Sequence, residues 1–363
     1  MRVAIGAVVG TLGGPATYAT ELVAGLAARR TPGCEYVVIT DGPEAFAGVD
    51  VEVMRAPLPS AYAQVLWDHV AVPVALRRAR ADLYHGTKNT LPLWRPCPAV
   101  MTVHDLAVYR HPESFAAAQR WHLRSHVPHA VRSARAVITV SQHAAADLRA
   151  EFPAAAAKVR PIANGVSARF RPPMDPVSLA GFRVRHGLGA GPLVAYLGTL
   201  QPRKNVELLA AAFVRARARV PDAQLILGGR MRPGYAPVLP TDGVHRIGPL
   251  AAAELPIFYG VASVLVSPSL YEGFGLTLLE AMACGCPVIA LARSAVPEVV
   301  GDAALLLETA DEAALADALV RVLRDAAYAA DLRVRGLARA ATFSWARTAE
   351  ATEAVYREVA GRG

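Results

Sequence analysis

Short apolar runs alternate with longer amphipathic ones along most of this chain, and a proline-rich joint splits the alternation into two blocks. Strands separated by helices make right-handed βαβ units and a parallel sheet, so few folds remain open to such a pattern. In the first block the strand candidates are Val3–Val9, Tyr36–Thr40, Val51–Met54, Asp82–His85, Ala99–Val103, Ala136–Val140 and Val159–Ile162. Helix-like stretches occupy Pro15–Arg30, Ala63–Arg80 and Phe115–Arg135. The segment Phe170-Arg-Pro-Pro-Met-Asp-Pro breaks the pattern and reads as an interdomain joint. Beyond it the candidates are Leu193–Leu197, Gln224–Leu227, Val244–Ile247, Val264–Val266, Val288–Ala290 and Ala304–Leu307. The predicted class is α/β, with two doubly wound Rossmann-like domains facing across a cleft. Ligands of such sheets sit beyond the carboxyl ends of the strands. The last segment, Phe343–Tyr356, reads as a helix with Ser344 as its N-cap.

Bulk properties narrow the function. At 363 residues the chain is long enough for two domains, and 53% hydrophobic against 19% charged residues exclude disorder. No apolar run reaches membrane-spanning length. The apolar N-terminus lacks a signal-peptide pattern and reads as a first strand, so a cytoplasmic protein is expected. Cys34 and Cys97 stand alone, while Cys284 and Cys286 are too close for ordinary pairing, so free thiols and no metal are expected. The net charge is +8, and residues 1–165 hold 17 Lys and Arg against 12 Asp and Glu. Aromatics at 7% are too few for the interleaved stacking that nucleic-acid binding needs. The basic stretch Gln119–Arg135 leaves two readings open. One is a solvated helix face. The other is a face for an anionic membrane, as in peripheral contact at the inner membrane surface, or for a lipid-diphosphate acceptor.

Chemistry concentrates in the run from Tyr271 to Gly285, where Glu272 and Glu280 stand eight positions apart. Glu272 follows the apolar run Ser263-Val-Leu-Val-Ser-Pro, and a turn, Gly273-Phe274-Gly275-Leu276, leads into an apolar helix carrying Glu280. On a helix opening near Phe274, Glu280 lies about two turns in. Turn amides and a helix N-terminus suit a phosphate, and each carboxylate can hold the hydroxyls of one sugar. The pattern fits a nucleotide-sugar: hexose at Glu272, diphosphate on the turn, ribose at Glu280. A second segment, Gly198-Thr-Leu-Gln-Pro-Arg-Lys-Asn205, follows another strand and is expected to open a helix with Arg203 and Lys204 at its start. The chain has only three lysines among 38 basic residues, so a lysine at 204 marks a place for a compact point charge.

Weaker signals lie in the first block. His104-Asp105 ends the strand Val100–Val103 and reads equally as base with orienter or as a capped strand end. Gly13-Gly14-Pro follows the first strand, where a missing side chain permits close backbone approach. Lys88 and Asn89 sit in a polar loop after a strand, as acceptor-side candidates or as an ordinary turn. Asn164-Gly165-Val166 reads as a turn.

The nineteen residues Glu272–Ala290 resemble the E-x7-E segment of retaining glycosyltransferases of family 4, whose GT-B fold has two facing Rossmann-like domains. Gly198–Asn205, Gly13-Gly14, His104 and Asn164–Val166 resemble other parts of the same family. The resemblance implies domains at 1–168 and 169–342, with 343–363 crossing back as a helix onto the first. It implies catalytic roles for His104, Glu272 and Lys204. Donor contacts would come from Gly14, Arg203, Lys204, Gly273, Phe274, Gly275, Leu276 and Glu280. Thr199 stands where the family usually has a first phosphate-binding cation, so only Lys204, with Arg203 beside it, carries over. Thr199, Val103–Leu106 and Tyr109–Phe115 are similar to mannosyltransferases of bacterial surface polysaccharides, which implies GDP-mannose as donor and a glycan or lipid-linked saccharide as acceptor. UDP- and dTDP-hexoses are the alternatives. No cofactor or metal is implied. Of the rival classes, a nicotinamide oxidoreductase lacks its G-x-G-x-x-G after Val9. A non-catalytic sugar-nucleotide binding protein and a sugar-nucleotide epimerase remain, distinguishable by turnover and by the need for an acceptor.

Overall fold

Each block of apolar runs condenses into one parallel sheet. The computed structural model describes residues 1–9, 13–56, 67–172 and 175–361. The first sheet contains β1 (Arg2–Ala7), β2 (Glu35–Thr40), β3 (Glu52–Arg55), β4 (Leu83–Gly86), β5 (Ala99–Val103), β6 (Ala136–Thr139) and β7 (Val159–Pro161). The second contains β8 (Leu193–Leu197), β9 (Gln224–Gly228), β10 (Val244–Gly248), β11 (Val264–Ser267), β12 (Val288–Leu291) and β13 (Leu305–Leu307). Central strands such as Val3-Ala4-Ile5 and Val264-Leu265-Val266 are buried completely or nearly so, as continuous apolar runs covered by helices on both faces must be.

Strand order runs β3-β2-β1-β4-β5-β6-β7 in the first sheet and β10-β9-β8-β11-β12-β13 in the second. The order therefore reverses once in each, between β1 and β4 and between β8 and β11. Loops leaving the two strands on either side of such a reversal diverge, and the crevice between them is where open α/β sheets bind ligands.

Three local expectations need correction. The helix expected over Ala63–Arg80 has its first four positions outside the described residues; Trp67–Ala71 then forms a π-turn before the α-helix Val72–Ala79. Pro73 has no N–H to extend the i→i−4 ladder backwards, which accounts for the looser turn. In the proline-rich joint, Pro173 and Met174 lie outside the described residues, but Asp175 is a helix cap: its carboxylate accepts from the N–H groups of Val177 and Ser178 and starts the helix Pro176–Arg185. Third, the strand end expected at Ile162 falls at Pro161 on the edge strand β7, where a missing donor costs nothing.

The contacts divide the chain into Met1–Gly165 with Ser344–Gly363, and Val166–Phe343. In the first unit Ser344 Oγ accepts the Arg347 N–H and opens the helix Trp345–Ala360, which packs along the helix Gly14–Arg29. The buried Glu353 carboxylate fixes it there, accepting from Arg29 Nε at 3.0 Å, Thr31 Oγ1 at 2.7 Å and the Tyr36 hydroxyl at 3.3 Å. Asn164-Gly165 proves to be more than a turn. A Cβ on Gly165 would lie 2.1 Å from the Trp345 nitrogen, so the outgoing and returning backbones cross in contact there. Below them, the His85 ring bridges Tyr356 Oη at 2.6 Å and Thr102 Oγ1 at 2.8 Å, and Tyr18 Oη meets the same threonine at 2.9 Å. No helix among the described residues is long and apolar enough to cross a membrane. All four cysteines are free, Cys284 and Cys286 buried and the other two half-buried.

Candidate active site

Two loops flank the reversal in the second unit, one after β8 and one after β11, and they are bound to each other. The Leu270 N–H donates to the Arg203 carbonyl at 2.9 Å, and Arg203 Nη1 donates to the Tyr271 carbonyl. Lys204 Nζ donates to Glu272 Oε1, while Arg203 Nη1 stands 3.8 Å from Oε2 of the same carboxylate. Arg203 and Lys204 do not open a helix as the sequence suggested. They form a single 3-10 turn, Pro202–Lys204, and Asn205 then takes a left-handed conformation (φ 52°) before the helix Val206–Arg217. That break turns both cations toward the β11 loop.

Glu272 is nearly buried, with its side chain 13% exposed. Burial pushes its carboxyl up. The charges of Lys204 and Arg203 and the hydrogen bonds of Lys204 and Ser269 outweigh this and hold it below the usual carboxylate range. Its main-chain N–H donates to Ser294 Oγ at 2.7 Å, and Ser294 itself adopts a positive φ of 49°. Ser269 and Ser294 escaped notice in the sequence. Both follow a strand end, β11 and β12 respectively, and that position was the available signal. Two cations and one carboxylate leave the cluster with one net positive charge, beside a helix N-terminus whose dipole adds to it.

The glycine turn leads into that helix later than expected: it spans Leu276–Ala283, with Gly275 (φ 107°) as N-cap, a conformation that favours glycine. Glu280 is thus the fifth helical residue, little more than one turn in. It is buried, and one oxygen accepts the Tyr259 hydroxyl at 2.7 Å. Burial, and then the Glu280 charge, raise that phenol well above its ordinary range, so Tyr259 stays a donor. Tyr259 was not singled out in the sequence, because a tyrosine in an apolar helix carries no spacing signal.

In the first unit the loops beside the β1/β4 reversal carry Gly14, Lys88 and Asn89, and the adjacent loop after β5 carries His104. Gly14 is the first residue of its helix, with Gly13 as N-cap. Asn89 Oδ1 accepts the His104 N–H at 3.1 Å and Asn89 Nδ2 donates to the Asp105 carbonyl at 3.0 Å, so this amide clamps the turn bearing the histidine. Asp105 Oδ1 accepts the Ala107 N–H at 3.0 Å and shapes the same turn. His104 Nε2 lies 2.8 Å from the Thr87 carbonyl, which only accepts, so Nε2 carries the proton and Nδ1 presents a lone pair. Burial lowers this imidazole's pKa despite the opposing pull of the Thr87 carbonyl and Asp105, so the ring is neutral. The Tyr18 ring meets it edge-on at 5.0 Å.

Lys88 is half-buried, and burial lowers its ammonium against the pull of Asp68 and Asp41. Asp68, on the π-turn, is a residue the sequence reading missed. Its carboxyl is pushed up to about 6 by burial, although Thr90 Oγ1 donates to it at 2.8 Å and Lys88 lies near. Among the described residues no cluster of three or more His, Cys, Asp or Glu is placed to hold a metal ion.

The chain matches the family described as Glycosyltransferase Family 4 over residues 12–170, and Glycosyl transferases group 1 over residues 191–325. It is 30% identical over 296 residues to O-antigen chain mannosyltransferase B of Escherichia coli, covering 78% of this chain and 76% of that one. It is 31% identical over 285 residues to D-inositol 3-phosphate glycosyltransferase of Salinispora arenicola, covering 72% of this chain and 63% of that relative's length. Among solved structures, sucrose-phosphate synthase from Thermosynechococcus elongatus superposes with a TM-score of 0.78 at 26% identity over all of both chains. Anabaena HepE in complex with UDP-glucose shares the fold at a TM-score of 0.78 and 20% identity, over 98% of this chain and 99% of that one.

Proposed function

The chain belongs to glycosyltransferase family 4, and from that premise we propose that it moves a hexose from a nucleoside-diphosphate sugar to a hydroxyl acceptor with retention of configuration. Its acceptor is a glycan or lipid-linked saccharide. The observation that carries this reading is the cluster of Lys204, Arg203 and Glu272 across the β8/β11 reversal. A cation pair with one surplus positive charge suits a diphosphate, and a carboxylate held ionised between them suits sugar hydroxyls.

In the proposed reaction the bond from the anomeric carbon to the diphosphate oxygen breaks, and the bond to the acceptor oxygen forms on the same face. The departing phosphate oxygen takes the acceptor proton, so no protein base is needed. Lys204, Arg203 and the Gly273–Leu276 amides stabilise the charge that develops on the diphosphate. Glu272 holds the sugar. Glu280 holds the ribose. The neutral His104 offers Nδ1, or its main chain, to a donor hydroxyl.

We favour mannose from GDP-mannose. The E. coli mannosyltransferase relative supports this choice, together with the likeness at Thr199, Val103–Leu106 and Tyr109–Phe115. The UDP-glucose complex of HepE keeps UDP-hexoses as the alternative. A thermal-shift panel of GDP, UDP and dTDP tests the choice. A ligand at 100 times its Kd stabilises by about 2.7 kcal/mol. A shift with UDP or dTDP and none with GDP would end the mannose reading and leave the transferase reading standing. No shift with any nucleoside diphosphate, and no sugar released from any donor, would overturn the transferase reading itself.

A further inference from the structure

The loops of the first unit that carry Lys88, Asn89 and His104 leave the carboxyl ends of its strands. At the opposite ends lies a cavity of about 780 Å³. Pro98, Arg135 and Lys158 line it, and each immediately precedes a strand: β5, β6 and β7. A five-residue strand spans about 16 Å, so the cavity is separated from the His104 and Lys88 loops by the depth of the sheet.

Its charge is one-sided. The lining carries Arg95, Arg132, Arg135, Lys158 and His129, and no Asp or Glu. Part of this charge has a structural task. Arg95 Nη2 donates to the Ser133 carbonyl at 2.6 Å, and Lys158 Nζ donates to the Arg132 and Ala134 carbonyls, both at 2.8 Å. These carbonyls end the helix Ala117–Ser133, whose dipole a cation offsets. Main-chain carbonyls bring only partial negative charge, however, and four full cations share the space. Arg132 and Arg135 have no carboxylate within salt-bridge distance among the described residues, and Arg95 Nε and His129 Nε2 are buried without a partner. The repulsion is felt: burial, then Arg135 and Arg95, lower the Lys158 ammonium. Trp94 and Leu93, each about half exposed, stand at the rim.

We propose that this cavity is a second anion site that takes a phosphate monoester or diphosphate group, separate from the loops assigned to the sugar donor. A monovalent anion would offset only one of the four cations, whereas a diphosphate offsets two or more and presents the many acceptor oxygens that guanidinium groups recognise. The phosphate can be borne by a lipid headgroup, with Trp94 and Leu93 entering the bilayer interface, or by a soluble molecule. The site stands whether or not the transfer reading holds.

Calorimetric titration of the full chain with inorganic pyrophosphate is the first arm of the test. Co-sedimentation with vesicles containing phosphatidic acid, whose headgroup is a phosphate monoester, against phosphatidylcholine vesicles, is the second. The expected result is saturable binding that survives Lys204→Ala but weakens at least tenfold in Arg132→Gln/Arg135→Gln. Both arginines are exposed, so unchanged unfolding midpoints should accompany the loss; the two single variants serve if the double one fails to fold. Vesicle capture without pyrophosphate binding assigns the phosphate to a lipid. Pyrophosphate binding without capture assigns it to a soluble ligand. Binding of neither probe, or binding abolished by Lys204→Ala and untouched by the arginine variants, would overturn the proposal.

Discussion

Lys204 places its ammonium on the carboxylate of Glu272, 68 positions further along the chain, and Arg203 closes on the same group from the other side. The pair joins the tips of two neighbouring strands, β8 and β11. Each member therefore arrives with its charge already held in place by the other, and in the proposed reaction a donor diphosphate would meet cations that need little reorganisation. The carboxylate stays ionised because these cations outweigh the cost of its burial.

Glu272→Gln is expected to lower kcat by about a hundredfold or more, the scale of losing one transition-state contact. Glu280→Gln should act mainly on KM. The glutamine oxygen still accepts from Tyr259, and ribose binding contributes equally to ground and transition states. Steady-state kinetics of both variants decide this, and equal changes confined to KM would contradict the assignment.

Transfer should proceed at full rate in excess EDTA. No Asp-x-Asp motif occurs in the chain, and in the proposed reaction Lys204 and Arg203 would supply the positive charge that a metal brings to diphosphates elsewhere. Strict dependence on added magnesium or manganese would show that the two cations do not suffice for that task.

How much of this was legible beforehand depends on where the signal lies. β5 and β8 coincide with the apolar runs Ala99–Val103 and Leu193–Leu197, because a strand buried on both faces must be apolar throughout its length. The Ser344 cap was equally plain, since a cap is local chemistry. The pairing of Lys204 with Glu272 was not legible: each side chain was read against a ligand, and contacts between loops of adjacent strands follow no sequence spacing. Asn89 shows the same limit. Its place in a polar loop fits an acceptor contact or an ordinary turn, and the sequence does not show that both ends of its amide are engaged by the backbone at 104 and 105. Glu353 is the extreme case, an ordinary acid in a helix whose partners Arg29, Thr31 and Tyr36 lie more than 300 positions away.

Glu353→Ala should destabilise the first unit by about 2 kcal/mol, the range for hydrogen bonds to a charged group once solvent access to Arg29 and Arg357 is allowed for. Removing it leaves the Thr31 and Tyr36 hydroxyls without their acceptor and frees the helix Trp345–Ala360 from the helix Gly14–Arg29. Denaturant unfolding followed by Trp345 fluorescence, in a background lacking the other tryptophans, measures the change. An unaltered midpoint would mean that apolar packing alone holds the helix.

The first unit should also lose stability in mild acid, with His85 as a main cause. Burial pushes its imidazole down to about 3, so the ring is neutral in the folded chain. In the unfolded chain it takes a proton near its ordinary value of about 6.5. Between these values the unfolded state binds more protons, so the contribution is whole above about pH 6.5 and shrinks as the pH falls toward 3. One such group changes stability by about 1.4 kcal/mol per pH unit at most. His104, also buried and lowered, acts in the same direction. His85→Gln keeps a polar side chain between Tyr356 and Thr102 but cannot titrate. Its stability at pH 7 should be reduced, and its decline from pH 6 to pH 4 should be shallower than that of the unaltered protein. Urea midpoints at three pH values give both slopes, and parallel lines would rule His85 out as the acid-sensitive group.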